Sequence, residues 1–557
     1  MTRIGRCVLT ALLLAWVCGC GSPGGSNDNK PGISATEKPA PGNPATAARP
    51  HKRGSFPPDS LIYVHDTEPK GLDPAYVTDY YEGFTAAVIF DGLVQVDYDL
   101  NIQPALAESW EVSDDARVFT FHLRKGVKFH DGTPFSARDV IYSFERLLDP
   151  ATVSPRNWVL DQIQGAKVLI NSKSGEKVSL TGLKAIDDYT VEITLEKPYN
   201  AFLDKLSMPN AYIMPAGIVE RVGKKEFSEH PVGTGPWKLV EWKHEEHMVF
   251  VRNNEYWGRV PAIENLVIRI IDNNTLVTSE FSVGNVDIIT VPTAEYRQWL
   301  EDPKRRPLMQ KIEELNTYFL AFMCTRPNMS DPRVRRAISY GTDADTIVEY
   351  VNRQKAARAH GPIPPGTHGY TRRDDPYPYN PGKAKELLKE AGVGENLKIE
   401  FWLFKDELAQ QICEAFKSDM QKIGVNVQLR AMDFAALKQG LRNEAPDMYF
   451  LSWWADYPDA ENFLEPCFHS RNWGGSGNGC HYKNERVDAL IDQAMFEPNR
   501  EKRQQLLDET VDLIVKDAPW IFMYHRFSYL AAQPWVEGFR PHKVLNGNKF
   551  NDIGFKY

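Results

Sequence analysis

The chain has 557 residues, 42% of them hydrophobic and 25% charged, the make-up of a globular protein with room for two to four domains. Its formal net charge of -9 argues against a nucleic-acid partner, which calls for a basic face. Thirteen Trp and 23 Tyr supply flat, amphipathic surface suited to cores and to binding sites.

The N-terminus reads as an export signal. Arg3 and Arg6 precede an apolar run from Val8 to Val17, too short to span a bilayer as a mature helix and right for the core of a signal peptide. The run ends in Cys18-Gly19-Cys20, which resembles the bacterial lipobox. That resemblance makes 1–20 a lipoprotein signal peptide and Cys20 the lipidated residue, with secretion without an anchor as the alternative. Residues 21–59 hold almost no large apolar side chain before Phe56 and cannot offset the entropy of ordering. They read as a flexible tether reaching roughly 35 Å from a membrane surface. No later apolar run is long enough for a transmembrane helix.

The folded body alternates strands and helices. RVFTFHLR (117–124) places Phe119, Phe121 and Leu123 on one face of a half-buried strand. SARDVIYSFERLL (136–148) predicts a helix capped by Ser136, with Asp139 closing a variant capping box. TVEITLE (190–196) is a second alternating strand. WKHEEHMVF resembles a broken HExxH one residue short, and as a strand it sends His244 and His247 to opposite faces, which argues against zinc. His130-Asp131-Gly132 reads as a turn. KAKELLKEAGV (383–393) and EKRQQLLDETVDLIVKDAP (501–519) are amphipathic helices stopped by Gly392 and Pro519. Mixed elements over this length predict an α/β body with more than one core.

The stretch SWWADYPDAENF (452–463) sets the carboxylate of Asp456 behind two tryptophans. A carboxylate among aromatics is expensive to desolvate unless a cation meets it. That cation is either an internal Lys or Arg or a ligand's amine; Asp456 as a turn cap before Pro458 is a third role. No P-loop, nucleophile elbow or dinucleotide fingerprint occurs, so the chain is not read as an enzyme, and no metal or cofactor is predicted.

Several blocks in order resemble the dipeptide-, oligopeptide- and nickel-binding proteins of ATP-driven importers, extracellular solute-binding protein family 5. They are GLDPAYVTD (71–79), FDGLVQVD (90–97), PALAESWEVSDD (104–115), FHLRKGVKFHDGTPFSARDVIYSFERL (121–147), GTGPWKLVEW (233–242) with RNNEYW (252–257), DPRVRRAISYGTD (331–343), YNPGKAKELLKEAG (379–392) and WWADYPDAENFL (453–464).

The resemblance implies a two-lobed α/β fold of the periplasmic-binding-protein type (class II), with two hinge strands and an extra α+β domain on lobe I. Lobe I would be 60–92, 231–315 and 526–557, the extra domain 93–230, and lobe II 316–525. It also implies a monomeric, lipid-anchored, extracytoplasmic receptor that encloses a di- or oligopeptide and hands it to a membrane permease with its ATPase. Asp456 would receive the ligand's α-ammonium between Trp453 and Trp454, and Tyr80, Tyr81, Tyr318 and Phe319 would line the cleft. The cation that helps hold the ligand carboxylate in oligopeptide-binding relatives is missing from Asp447–Phe450, leaving Arg353 and Lys405 as substitutes. The same resemblance pairs Cys467 with Cys480 as a disulfide across a Gly-rich loop, worth roughly 3 kcal/mol, with Cys324 and Cys413 as buried free thiols. Alternatives are the same fold binding an oligosaccharide or a nickel chelate, and a lipid-anchored hydrolase.

Overall fold

The structure is a computed structural model that describes residues 56–556 apart from 174, 177, 353–354, 394–396, 475–476 and 545–546. Among them no helix is long and apolar enough to cross a membrane.

One strand organises the molecule. Trp520–Ala532 runs for 13 residues and belongs to two sheet regions in turn. Its first part pairs antiparallel with Asn316–Phe322, which continues through Met448–Trp454 to the parallel strands Lys398–Phe404 and Asn426–Met432. Its last part pairs with Met309–Glu313 and Ile288–Thr290, which lead to Ser60–His65, Asn265–Ile270 and the hairpin Trp237–Lys243/His247–Arg252. The chain therefore crosses between the two regions twice, once at 314–316 and once at 525–527.

The crossings are tied to each other. Glu314 accepts from Arg526 Nε at 2.9 Å and from the Ser528 hydroxyl, and Asn316 Oδ1 accepts the Arg526 backbone N–H at 2.8 Å. His525 is buried and bonded through Nδ1 to the Asn316 carbonyl at 2.8 Å. Burial lowers its pKa to about 4, so it packs as a neutral ring.

A separate four-stranded antiparallel sheet has the order Ala107–Val112, Val118–Leu123, Thr190–Thr194, Leu183–Asp187. Phe119, Phe121, Leu123, Val191 and Ile193 are buried on one face of it, as period two requires. Helix Ala137–Leu148 carries the Ser136/Asp139 capping box, and Gly392, at φ +72°, ends the turn after helix Pro381–Glu390. Helix Arg500–Asp517 stops through Ala518 in the left-handed region, one residue before Pro519. The reading of WKHEEHMVF as a single strand is corrected. It is a hairpin whose turn contains Glu245 at φ +62°, and His244 bonds Glu68 at 2.9 Å.

The sequence blocks quoted above are largely scaffolding. Asp91 of FDGLVQVD is fully buried and accepts from Thr234 Oγ1 at 3.0 Å, Tyr256 Oη at 3.2 Å, Trp257 Nε1 at 2.9 Å and Lys549 Nζ. One carboxylate thus gathers three of the blocks, and each partner lowers the cost of burying it. Gly233 and Gly235 pass the end of helix Tyr80–Ile89 so closely that a Cβ would meet the Ile89 carbonyl oxygen at 2.2 and 2.6 Å. Only glycine permits that approach, and it fixes the helix whose first residues are Tyr80 and Tyr81.

Candidate functional site

Asp456 follows the strand Met448–Trp454, and its backbone N–H donates to Asn462 Oδ1 at 3.0 Å. Trp453 Nε1 donates to the Asn462 carbonyl at 2.7 Å, so one asparagine holds both ends of the turn. The Asp456 carboxylate meets a native cation, Arg156 Nη1, at 3.1 Å. Arg156 comes from a distant loop packed on segment 73–78. Tyr76 Oη donates to the Thr152 carbonyl at 2.6 Å, Ser154 Oγ donates to the Ala75 carbonyl at 2.6 Å, and Arg156 Nη2 donates to the Thr78 carbonyl at 3.0 Å. Of the roles read for Asp456, the structure shows the pairing with an internal cation. The side chains are 19% and 29% exposed, so the pair stays open to water.

The aromatic candidates separate by strand geometry. Neighbours along a strand point to opposite faces, so Trp453 and Trp454 cannot both wall one site. Trp454 is 41% exposed and carries the Arg526 guanidinium 4.6 Å above its ring. Trp453 is half-buried and turned to the core. The same rule divides Tyr318 from Phe319. Tyr318 shares the Trp454 face, with ring centroids 6.4 Å apart, and stacks on Tyr524 at 4.5 Å. Phe319 is buried against Trp520 and lines no cleft, which corrects its assignment. Tyr80 is 40% exposed and lies close to Glu314 at the crossing. Tyr81 turns toward Asp66 and Thr67, and burial followed by the Asp66 carboxylate raises its phenol well above the usual range. Trp454 thus lies opposite Asn316 at the first crossing, with the Asp456–Arg156 pair two residues on, while Phe319 and Trp453 are turned to the core.

Lys405 is exposed and paired with Asp433 at 3.1 Å. Arg353 and Cys20 lie outside the described residues. The expected Cys467–Cys480 bridge is absent; both are buried free thiols. Cys480 instead donates to Asn478 Oδ1 at 3.3 Å, accepts the Cys324 N–H at its carbonyl at 2.8 Å, and has the Cys324 thiol as its sulfur neighbour. Sequence reasoning missed Arg156. An arginine after Ser-Pro in a loop carries no local sign of its partner, although the need for a cation at Asp456 was legible.

A second charged cluster adjoins the first. Arg503 grips Asp459 with two bonds of 2.7 and 3.0 Å. Glu461 accepts from Tyr199 Oη and from Tyr457 Oη at 3.3 Å. Burial pushes the Glu461 carboxyl up to about 7, with Lys205 opposing. Lys205 sits 4.7 Å from the Tyr199 ring and 5.1 Å from that of Trp158. Asp204, His368 and Asp459 place ligand-type atoms within 4.8 Å of one another. Arg503 already takes both oxygens of Asp459, however, so the set does not offer a cation three open donors.

Cavities of about 210 and 190 Å³ lie elsewhere, one beside Tyr98 and Phe550 and one beside His360 and Tyr370. Neither is lined by Asp456, Trp454 or Tyr80.

The profile of the bacterial extracellular solute-binding proteins, family 5, matches residues 101–475. Heme-binding protein A of Haemophilus influenzae is 32% identical over 532 residues, covering 91% of this chain and 94% of that one. The chain belongs to family 5 of the bacterial extracellular solute-binding proteins. Another relative is the glutathione-binding protein GsiB of Pectobacterium atrosepticum, 29% identical over 84% of this chain and 88% of its own length. Among solved structures, the ABC transporter-associated periplasmic binding protein DppA from Helicobacter pylori, in complex with peptide STSA, superposes with a TM-score of 0.73 at 28% identity. That match covers 89% of this chain and 98% of that one. The two sheet regions joined by double crossings are consistent with the two-lobed architecture of this family's fold. Its members are binding proteins, not enzymes.

Proposed function

We propose that this solute-binding protein captures peptides bearing a free ammonium group between its lobes and delivers them to an ABC importer. The observation that carries the reading is Asp456. It is a partly exposed carboxylate where three chain segments meet, two residues after Trp454, with a single contact to a cation. An ammonium enclosed there needs a carboxylate, or its desolvation goes uncompensated. Two relatives reported above are named for glutathione or solved with a peptide, and both ligands carry such a group. Ligand contacts from both sides of the crossings would favour a closed state through their differential affinity.

The proposed partition is lobe I at 60–92, 231–315 and 526–557, the extra domain at 93–230 and lobe II at 316–525, following sheet membership. The proposed anchor is a lipid on Cys20 of a monomer held outside the cytoplasm, in keeping with the signal sequence. A Cys20→Ala chain should lose metabolic labelling by a fatty-acid probe and leave the membrane fraction.

The central test is calorimetry against a peptide mixture and its active components. Asp456→Ala should weaken peptide binding by about 100-fold and leave the far-ultraviolet spectrum unchanged. Equal affinity in the variant would remove Asp456 from the site. Mass spectrometry of material co-purified from the native host should then find peptides; a sugar or a metal chelate in their place would overturn the ligand class.

A further inference from the structure

Cys480 lies in the loop between helix Glu461–Phe468 and helix Glu485–Phe496, and Cys324 follows strand Asn316–Phe322. The two residues meet twice. The Cys324 N–H donates to the Cys480 carbonyl at 2.8 Å, and the two thiols are in hydrogen-bond contact. Residues paired through the backbone in an antiparallel ladder hold their Cα atoms roughly 5.5 Å apart, within the roughly 4.4–6.8 Å that a disulfide spans. Both segments are braced. Asn478 Nδ2 donates to the Tyr482 carbonyl at 2.8 Å and its Oδ1 accepts the Tyr482 N–H at 3.0 Å, which fixes the turn presenting Cys480. The Met323 N–H donates to the Asp447 carbonyl at 2.9 Å, which fixes the residue before Cys324.

Cys467, the partner expected from the family resemblance, is placed differently. It is buried near Tyr449, as are Cys324 and Cys480, but among the described residues its sulfur has no contact with that of Cys480. The paired thiols also differ from each other. Cys324 keeps part of its surface exposed, and Cys480 keeps none. Contact with the Cys480 thiol draws the Cys324 thiol below its ordinary range against the effect of burial, and the Arg335 guanidinium assists; burial pushes Cys480 up. Cys324 is thus the better nucleophile of the two at neutral pH.

We propose that Cys324 and Cys480 form a redox dithiol, a modification site at which a disulfide-bearing oxidant converts the pair to an intramolecular disulfide and leaves Cys467 reduced. The Cys324 thiolate attacks one sulfur of the oxidant's disulfide; that S–S bond breaks, and the other sulfur leaves with the electron pair. Cys480 then gives up its proton and attacks the Cys324 sulfur, and the oxidant's second sulfur leaves as a thiolate. The dithiol has lost two electrons and two protons, and the oxidant ends as two thiols. The new bond ties the loop after helix Glu461–Phe468 to the end of the strand that leaves the first crossing. Oxidising conditions outside the cytoplasm supply such an oxidant. The site is independent of what the protein binds.

The test treats the full chain, first reduced, with oxidised glutathione, blocks the remaining thiols under denaturing conditions and maps the unreduced peptides by mass spectrometry. A Cys324–Cys480 link should be the main product, and Cys467→Ser should form it to the same extent. In the reduced native chain, brief alkylation should modify Cys324 at least about tenfold faster than Cys480 or Cys467. Oxidation should raise the melting temperature by about 3 °C, and Cys324→Ser should abolish that rise. A Cys467–Cys480 link in the unaltered chain would overturn the proposal. So would three thiols that stay open to alkylation after oxidation, or glutathione held on Cys324 without transfer to Cys480. None of these results depends on a variant folding, and none bears on the peptide-receptor reading.

Discussion

Asp456 and Asp459 are three residues apart, each faces an arginine from elsewhere in the chain, and the two pairs are built differently. Asp459 is buried, gripped by Arg503 through two bonds and fixed further by the Glu461 N–H at 2.8 Å. Burial works to lower the Arg503 guanidinium, and the Asp459 carboxylate more than reverses it, so its pKa ends above the ordinary value. Asp456 is partly exposed and touched once, by Arg156 from the loop after Thr152. The same two side-chain types give a buried two-bond fork in one place and a single water-exposed contact in the other. Exposure and the number of bonds make the difference, because desolvation and geometry decide what breaking an ion pair costs.

The comparison can be broken most sharply at the fork. Asp459→Ala leaves the Arg503 guanidinium buried without its partner and should cost about 3–5 kcal/mol in urea unfolding. A loss no greater than that of an exposed pair would show that the two sites do not differ as argued. Arg156→Gln should cost under about 1 kcal/mol in the same assay.

Glu461 sharpens the contrast through pH. Its folded pKa of about 7 lies above the ordinary carboxylate value, so between the two the folded chain binds a proton that the unfolded chain releases. Its contribution to stability is therefore complete at acid pH, and is lost as the pH rises toward and through 7. Measured against Glu461→Gln, the unaltered chain should lose about 2 °C of melting temperature between pH 5 and pH 8. A difference that grows in the other direction would place an ionised Glu461 in the folded state. The smallest effect is expected at Lys405, exposed and paired with exposed Asp433. Lys405→Ala should change stability by less than about 0.5 kcal/mol and peptide affinity by less than about twofold; a larger loss of affinity would restore it to the site.

Much of the scaffold was legible in the chain. The cap at Ser136, the alternation of Phe119, Phe121 and Leu123, and the stop at Gly392 all follow from rules acting over a few residues. The family blocks were legible as well, but most of them report scaffolding: FDG, GTG and NEYW meet at buried Asp91, and GLDP meets YSFERL through Asp73 and Arg146. The site was legible only in part. Alternation along Met448–Trp454 and Asn316–Phe322 already forbids a shared face for Trp453 with Trp454, or Tyr318 with Phe319, and the motif-based assignment overlooked it. The Cys467–Cys480 pairing failed for a different reason: sequence separation does not reveal that Cys324 lies beside Cys480.

By itself the sequence determined the elements, their caps and the family, because hydrophobic period, turn chemistry and motif order are local properties of the chain. It also raised a positive charge as the partner that a carboxylate at 456 among tryptophans calls for, beside a turn-capping role. Only the tertiary structure decided which one, since Arg156 stands 300 positions away. Whether that contact is a buried fork or a single exposed bond depends on water access and on bond geometry, and neither exists until the lobes have folded.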